Sequence, residues 1–107
     1  MSERSPARSY HFHPDAGPEL YEDVERLRAE DQKVAEDFEA EVSKAIERLL
    51  QFPEIGPVAG KRGDLVVRKL KLHSFWYSVV YAVIADDIRI YAVAHHSRRP
   101  LYWIDRV

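Results

Sequence analysis

Within residues 65–95 the chain carries three runs rich in β-branched and aromatic residues, parted by two tight breaks, and this succession commits the C-terminal half to a sheet. In the first run, residues 65–72, Val66, Leu70 and Leu72 share one parity while Val67, Lys69 and Lys71 share the other. Arg68 has the parity of the apolar set and is expected on the core face or in a cleft beside it. The second run, residues 75–84, is nearly all apolar or aromatic, as a central strand buried on both faces would be. Asp86-Asp87 is expected to form the hairpin turn into the third run. That run, residues 88–95, alternates Ile88, Ile90, Ala92 and Ala94 against Arg89, Tyr91, Val93 and His95.

The N-terminal half is built differently. Residues 1–8 are polar and without period, and read as a flexible lead-in to a single domain over residues 9–107. Residues 9–13 alternate, with Tyr10 and Phe12 opposite His11 and His13, and predict a short half-buried strand ended by Pro14. The two histidines fit its solvent face, since no carboxylate or cysteine lies at metal-ligand spacing. Leu20, Val24 and Leu27 then follow the i, i+4, i+7 spacing of a helix face, secure from about Pro18 onward. After a break near residues 30–32, Val34, Phe38, Val42, Ala45, Ile46, Leu49 and Leu50 form the stripe of a longer helix, with Asp31 as its cap and Pro53 as its stop. Two helices so closely joined run antiparallel. Residues 54–63 contain Gly56, Pro57, Gly60 and Gly63 and read as a loop.

The expected architecture is α+β: a strand, an antiparallel helix pair, then a three-stranded antiparallel meander with the helices on one face. The other face is left to solvent or a ligand. Charge divides along the chain, with 7 Lys/Arg against 14 Asp/Glu in residues 1–60 and 9 against 4 in residues 61–107. That division suggests an anionic partner for the basic half, or a sorting of surface charge with no such meaning. With no cysteine there is no disulfide framework and no thiolate metal site. No apolar run approaches the roughly 18 residues of a membrane span, and no secretory leader is seen, so a cytoplasmic protein is expected.

Nucleophile elbows, phosphate-binding glycine loops and zinc-protease signatures are absent. What the basic half offers is a set of bases and aromatics: Arg68, Lys69 and Lys71 on one run, His95 and His96 at the end of another, then Arg98, Arg99, Tyr102 and Trp103. RNA cleavage by side chains alone draws on these types: a base for the 2′-hydroxyl, an acid for the leaving oxygen, and cations for the charge on phosphate. Histidine suits both proton roles near neutral pH, and an aromatic can stack on a splayed base. Each residue also has an ordinary reading, as surface charge, as a pin for the tail, or as an inward and an outward histidine.

The chain resembles the RelE/ParE superfamily, the toxins of bacterial type II toxin–antitoxin modules. The matching stretches are Phe12-His13-Pro14-Asp15-Ala16, residues 50–57 (LQFPEIGP), Val67-Arg68-Lys69-Leu70, Tyr77-Ser78-Val79-Val80-Tyr81, and residues 93–103 (VAHHSRRPLYW). The resemblance implies a toxin neutralised by a cognate antitoxin, whose segment would add to an exposed edge strand or lie as a helix in a groove, with homo-oligomers possible through that complex. RelE-like members cut mRNA in the ribosomal A site, which is the reading expected here; ParE-like members poison DNA gyrase, and a weakly toxic antitoxin-binding protein is the third alternative. No cofactor or metal is implied. The resemblance places Lys69 and Lys71 where nuclease members have two basic residues on this strand, Tyr102 at a tail tyrosine and His96 about where a tail arginine stands. Together with the chemistry of the set, Lys71, His95, His96 and Tyr102 are the candidate catalytic residues, and Arg68, Lys69, Arg98, Arg99 and Trp103 the candidate substrate-binding ones. Ser78 departs from the pattern, standing where nuclease members have an arginine.

Overall fold

A computed structural model describes residues 6, 7 and 9–107. Strand β1 (Ser9–Phe12) leads into helix α1 (Ala16–Glu30) and helix α2 (Gln32–Gln51). Strands β2 (Val58–Arg62), β3 (Leu65–Lys71), β4 (Tyr77–Ile84) and β5 (Asp87–His95) follow, and a short 3-10 turn (Ile104–Arg106) ends the chain. The fold is α+β, as expected. Of the lead-in, residues 1–5 and 8 lie outside the described residues, while the Ala7 N–H donates to the Leu50 carbonyl at 2.8 Å.

Asp31 alone separates the helices. Its extended backbone ends α1, and its carboxylate accepts from the N–H groups of Lys33 and Val34 at 2.9 and 3.3 Å. Such a cap is worth about 1 kcal/mol. Helix α1 begins at Ala16, two residues ahead of the expected Pro18, because a proline in the first turn forfeits an N–H that has no intrahelical acceptor. The expected stripe of α2 is the one that is buried: Phe38, Val42, Ala45, Ile46 and Leu49 face the sheet.

The sheet has five strands in the order β1-β5-β4-β3-β2, with β1 parallel to β5 and the other neighbours antiparallel. Two strands therefore join the expected meander. The segment read as a loop contains β2, an edge strand whose irregular pairing between Val58 and Gly60 lets the glycine sit where pairing is disturbed. Gly63, at φ 61°, makes the turn into β3. The β4–β5 turn is Ala85-Asp86, one residue ahead of the expected Asp86-Asp87, with Ala85 at φ 55°. Asp87 belongs to β5, and its carboxylate fastens β1, accepting from Ser9 Oγ at 2.8 Å and lying 2.7 Å from His11 Nδ1. β4 begins at Tyr77, so Phe75 and Trp76 belong to the β3–β4 connection.

One irregularity decides which side chains share a face. Val80 pairs with Ala92 but Tyr81 pairs with Ile90, so Tyr91 is an extra residue bulged out of β5. The uninterrupted alternation expected for residues 88–95 is thereby corrected. Ile88, Ile90 and Val93 join the helix-side core, while Tyr91, Ala92 and Ala94 join a second cluster on the opposite face. That second face is not wholly open. Trp103, only 3% exposed, packs there with Val67, Val80 and Ala92, and Tyr102, Ile104 and Val107 lie around it.

Candidate functional site

The returning tail covers part of the second face and leaves a groove beside it. Lys69, Lys71, Ser78 and His96 line a cavity of about 490 Å³, closed on the tail side by Pro100, Leu101 and Trp103. An adjoining pit of about 130 Å³ shares Lys69, Ser78 and His96 and adds Arg98, Arg99 and Tyr102. The strand period explains the two lysines, because Lys69 and Lys71 alternate with Leu70, which enters the helix-side core. Ser78 pairs directly with Lys71 across β3–β4 and is 3% exposed.

The bulge at Tyr91 separates the adjacent histidines. His95 comes to the helix side, its ring 4.9 Å edge-on from Tyr77, with Nδ1 accepting from the Ser97 N–H at 3.0 Å and 2.7 Å from Ser97 Oγ. His96 turns to the groove, its backbone N–H held by the Trp76 carbonyl at 2.8 Å and its Nε2 2.9 Å from Ser78 Oγ. Burial, and after it the ammonium groups of Lys69 and Lys71, hold the His96 imidazole below the ordinary histidine value. The groove thus sets an imidazole of lowered basicity beside two lysine side chains, able to take a proton while the lysines hold an anion.

The other candidate residues have different surroundings. Arg68 projects from β3 away from the lysines and donates to the carbonyls of Glu54 and Gly56 at 3.2 and 2.9 Å, fastening the α2–β2 connection. Arg98 stacks over the Tyr102 ring at 4.0 Å, and Arg106 lies 5.2 Å from the same ring. Both guanidinium groups reach Glu19 of α1: Arg98 at 3.9 Å, and Arg106 through two hydrogen bonds, one of 2.8 Å. The Arg106 contacts lower the Glu19 carboxyl below the ordinary carboxylate value, while burial raises the Tyr102 phenol. Tyr102 is therefore half-buried, in contact with two arginines and with its hydroxyl toward Glu19. Arg99 is exposed at the rim of the pit, and the Trp103 indole is committed to the second core.

The structure brings Lys69, Lys71 and His96 together over Ser78, keeps Tyr102, Arg98 and Arg99 at the margin, and sends Arg68 elsewhere. Two residues that sequence reasoning passed over belong to the site. Trp76, 68% exposed, stands beside the groove with Lys71 Nζ 5.0 Å from its ring centroid and the His96 ring 5.9 Å away. It had been absorbed into an apolar run, and only the start of β4 at Tyr77 frees it. Glu19 organises the tail from the first turn of α1, across 87 residues of sequence, a separation that no local pattern signals.

Among the described residues, no group of three or more His, Cys, Asp or Glu could hold a metal ion, and no helix is long and apolar enough to cross a membrane. A more apolar groove of about 380 Å³ lies away from this chemistry, between α1, α2 and β1, with Tyr10, Phe12, Leu20, Val24, Val42 and Ile46 in its lining. The model of the family described as "ParE toxin of type II toxin-antitoxin system, parDE" matches residues 10–100. No significant match was found among curated proteins or among solved structures. The match spans β1 to the tail segment beside the groove, and a cognate antitoxin is the partner that it implies. The chain belongs to the ParE toxin family of type II toxin–antitoxin systems.

Proposed function

We propose that the chain acts in the cytoplasm by cutting ribosome-bound mRNA at the groove over Ser78. The observation that carries this reading is that His96, Lys69 and Lys71 line one groove, with His96 Nε2 2.9 Å from Ser78 Oγ. His96 takes the proton of a ribose 2′-hydroxyl, and the 2′-oxygen forms a bond to the adjacent phosphorus. Lys69 offsets the charge growing on the phosphoryl oxygens. The phosphorus–O5′ bond breaks, and the leaving O5′ takes a proton from the Lys71 ammonium, giving a 2′,3′-cyclic phosphate and a 5′-hydroxyl. Arg98, Arg99 and Tyr102 at the margin guide the flanking backbone. His95 supports the backbone turn that presents His96.

The antitoxin, in this reading, seats a segment in the apolar groove of α1, α2 and β1, where Tyr10 and Tyr21 are 45% and 66% exposed. A second reading is a gyrase poison without chemistry of its own. Ser78 favours it, since the hydroxyl occupies the place of an arginine and engages His96 Nε2. Inducing the toxin without antitoxin distinguishes the two. Translation arrest with new mRNA ends and unchanged plasmid supercoiling supports cleavage; a DNA-damage response with intact mRNA supports the gyrase reading.

A further inference from the structure

Among the described residues, Trp76 is the most exposed large ring beside the groove. Trp103 is 3% exposed, and Tyr102 is half-buried with Arg98 4.0 Å over its ring. Trp76 is 68% exposed, and its backbone carbonyl is fixed by the His96 N–H at 2.8 Å. Its ring is approached by Lys71 Nζ at 5.0 Å and by the edge of His96 at 5.9 Å. A singly exposed aromatic is ordinary on a protein surface, and what marks Trp76 is its position against Lys71 and His96 of the groove. Here the neighbours are cations and a histidine, which favours an anionic ligand over an apolar protein face.

We propose that Trp76 is the stacking platform for an unpaired base whose flanking phosphate lies between Lys69 and Lys71, so that this face takes single-stranded nucleic acid. The assignment deepens the RNA reading and rests on it. Stacking demands a base withdrawn from its own duplex, because a paired base presents only its edge. The lysines two residues apart on β3 point to the same side of the strand and can follow one backbone segment. A purine, with the larger π-surface, is the preferred base.

The test uses the full chain and an oligoribonucleotide of about eight nucleotides, within the span that such grooves cover. Affinity is read by anisotropy of the labelled RNA, and contact by quenching of tryptophan fluorescence. The single strand should bind and quench, and a duplex of equal length should bind more weakly. Trp76→Ala should lose roughly tenfold in affinity with an unchanged salt dependence, and Trp76→Phe should regain most of it. Lys71→Ala should instead reduce the salt slope by about one. Equal affinity of wild type and Trp76→Ala, or of single strand and duplex, overturns the role of Trp76 and leaves the cleavage reading standing. Absence of RNA binding by the wild type at low salt overturns both.

Discussion

Ser78 Oγ lies 2.9 Å from His96 Nε2, at the floor of a groove whose other polar groups are Lys69 and Lys71. The two residues come from different stretches of the chain, 18 residues apart. They meet because Ser78 is on the tail-side face of β4 and because the bulge at Tyr91 moves the end of β5 by one residue. Without that bulge His96 would face the helices and His95 the groove. The chemistry of the site therefore depends on a backbone irregularity placed four residues before the first histidine.

The lowered His96 value predicts a pH profile. A base that must be neutral loses activity as pH falls through its own pKa, so the acid limb should lie below the ordinary 6.5. Lys69→Gln removes one of the charges that disfavour protonation, which raises the His96 pKa and moves that limb to higher pH. Rates of RNA cleavage across pH for wild type and Lys69→Gln check this. An unmoved limb would place the titrating base elsewhere.

Glu19→Gln should loosen the tail. The side chains of Arg106 and Glu19 are 13% and 26% exposed, so the pair is only partly screened, and its loss should destabilise the protein by on the order of 2 kcal/mol. Because the folded-state value of Glu19 is depressed, its contribution is present above 4.5 and is lost as pH falls through the lowered value. Thermal unfolding should show a gap between wild type and Glu19→Gln at pH 7 that narrows in strong acid.

Gly56 is held by space. A Cβ there would lie 3.0 Å from the Lys69 carbonyl oxygen and 3.0 Å from Tyr81 Cε1 and Oη, while the Gly56 N–H donates to that same hydroxyl at 3.0 Å. Tyr81 is fully buried and cannot retreat. Gly56→Ala should be destabilising by about 1–3 kcal/mol in denaturant titration. Tyr81→Phe should be destabilising by a similar amount, through the N–H left without a partner.

Ala85 is the opposite case. At φ 55° its Cβ is strained, and it is exposed at the β4–β5 turn. Ala85→Gly should leave stability unchanged or raise it by up to about 1 kcal/mol, whereas Ala82→Gly, on buried β4, should lower it. In denaturant titration the Ala82→Gly midpoint should fall, and the Ala85→Gly midpoint should not.

Much of this fold was legible because long stripes carry a clear period. The stripe from Phe38 to Leu49 has the period of a helix face, and the parity of Val67, Lys69 and Lys71 sets the lysines opposite Leu70. β2 was hidden because Gly60 and Gly63 carry the signal of a loop while forming an edge strand and its turn. The bulge at Tyr91 was hidden because no glycine or proline marks it. Trp103 is readable either as a stacking aromatic or as a pin for the tail, and the second face, which needs a cover, takes it as the pin. Trp76 went unnoticed for the converse reason, being apolar within an apolar run.

The central claim is that the groove over Ser78 cuts RNA with His96 as base. Its most direct measurement is the mapping of mRNA ends in a translating extract given wild-type toxin or His96→Ala. Cleavage within ribosome-bound codons, leaving 5′-hydroxyl ends that wild type produces and His96→Ala produces at least about 100-fold more slowly, is the predicted result. Intact mRNA with wild type, or equal cleavage by a folded His96→Ala, would contradict it.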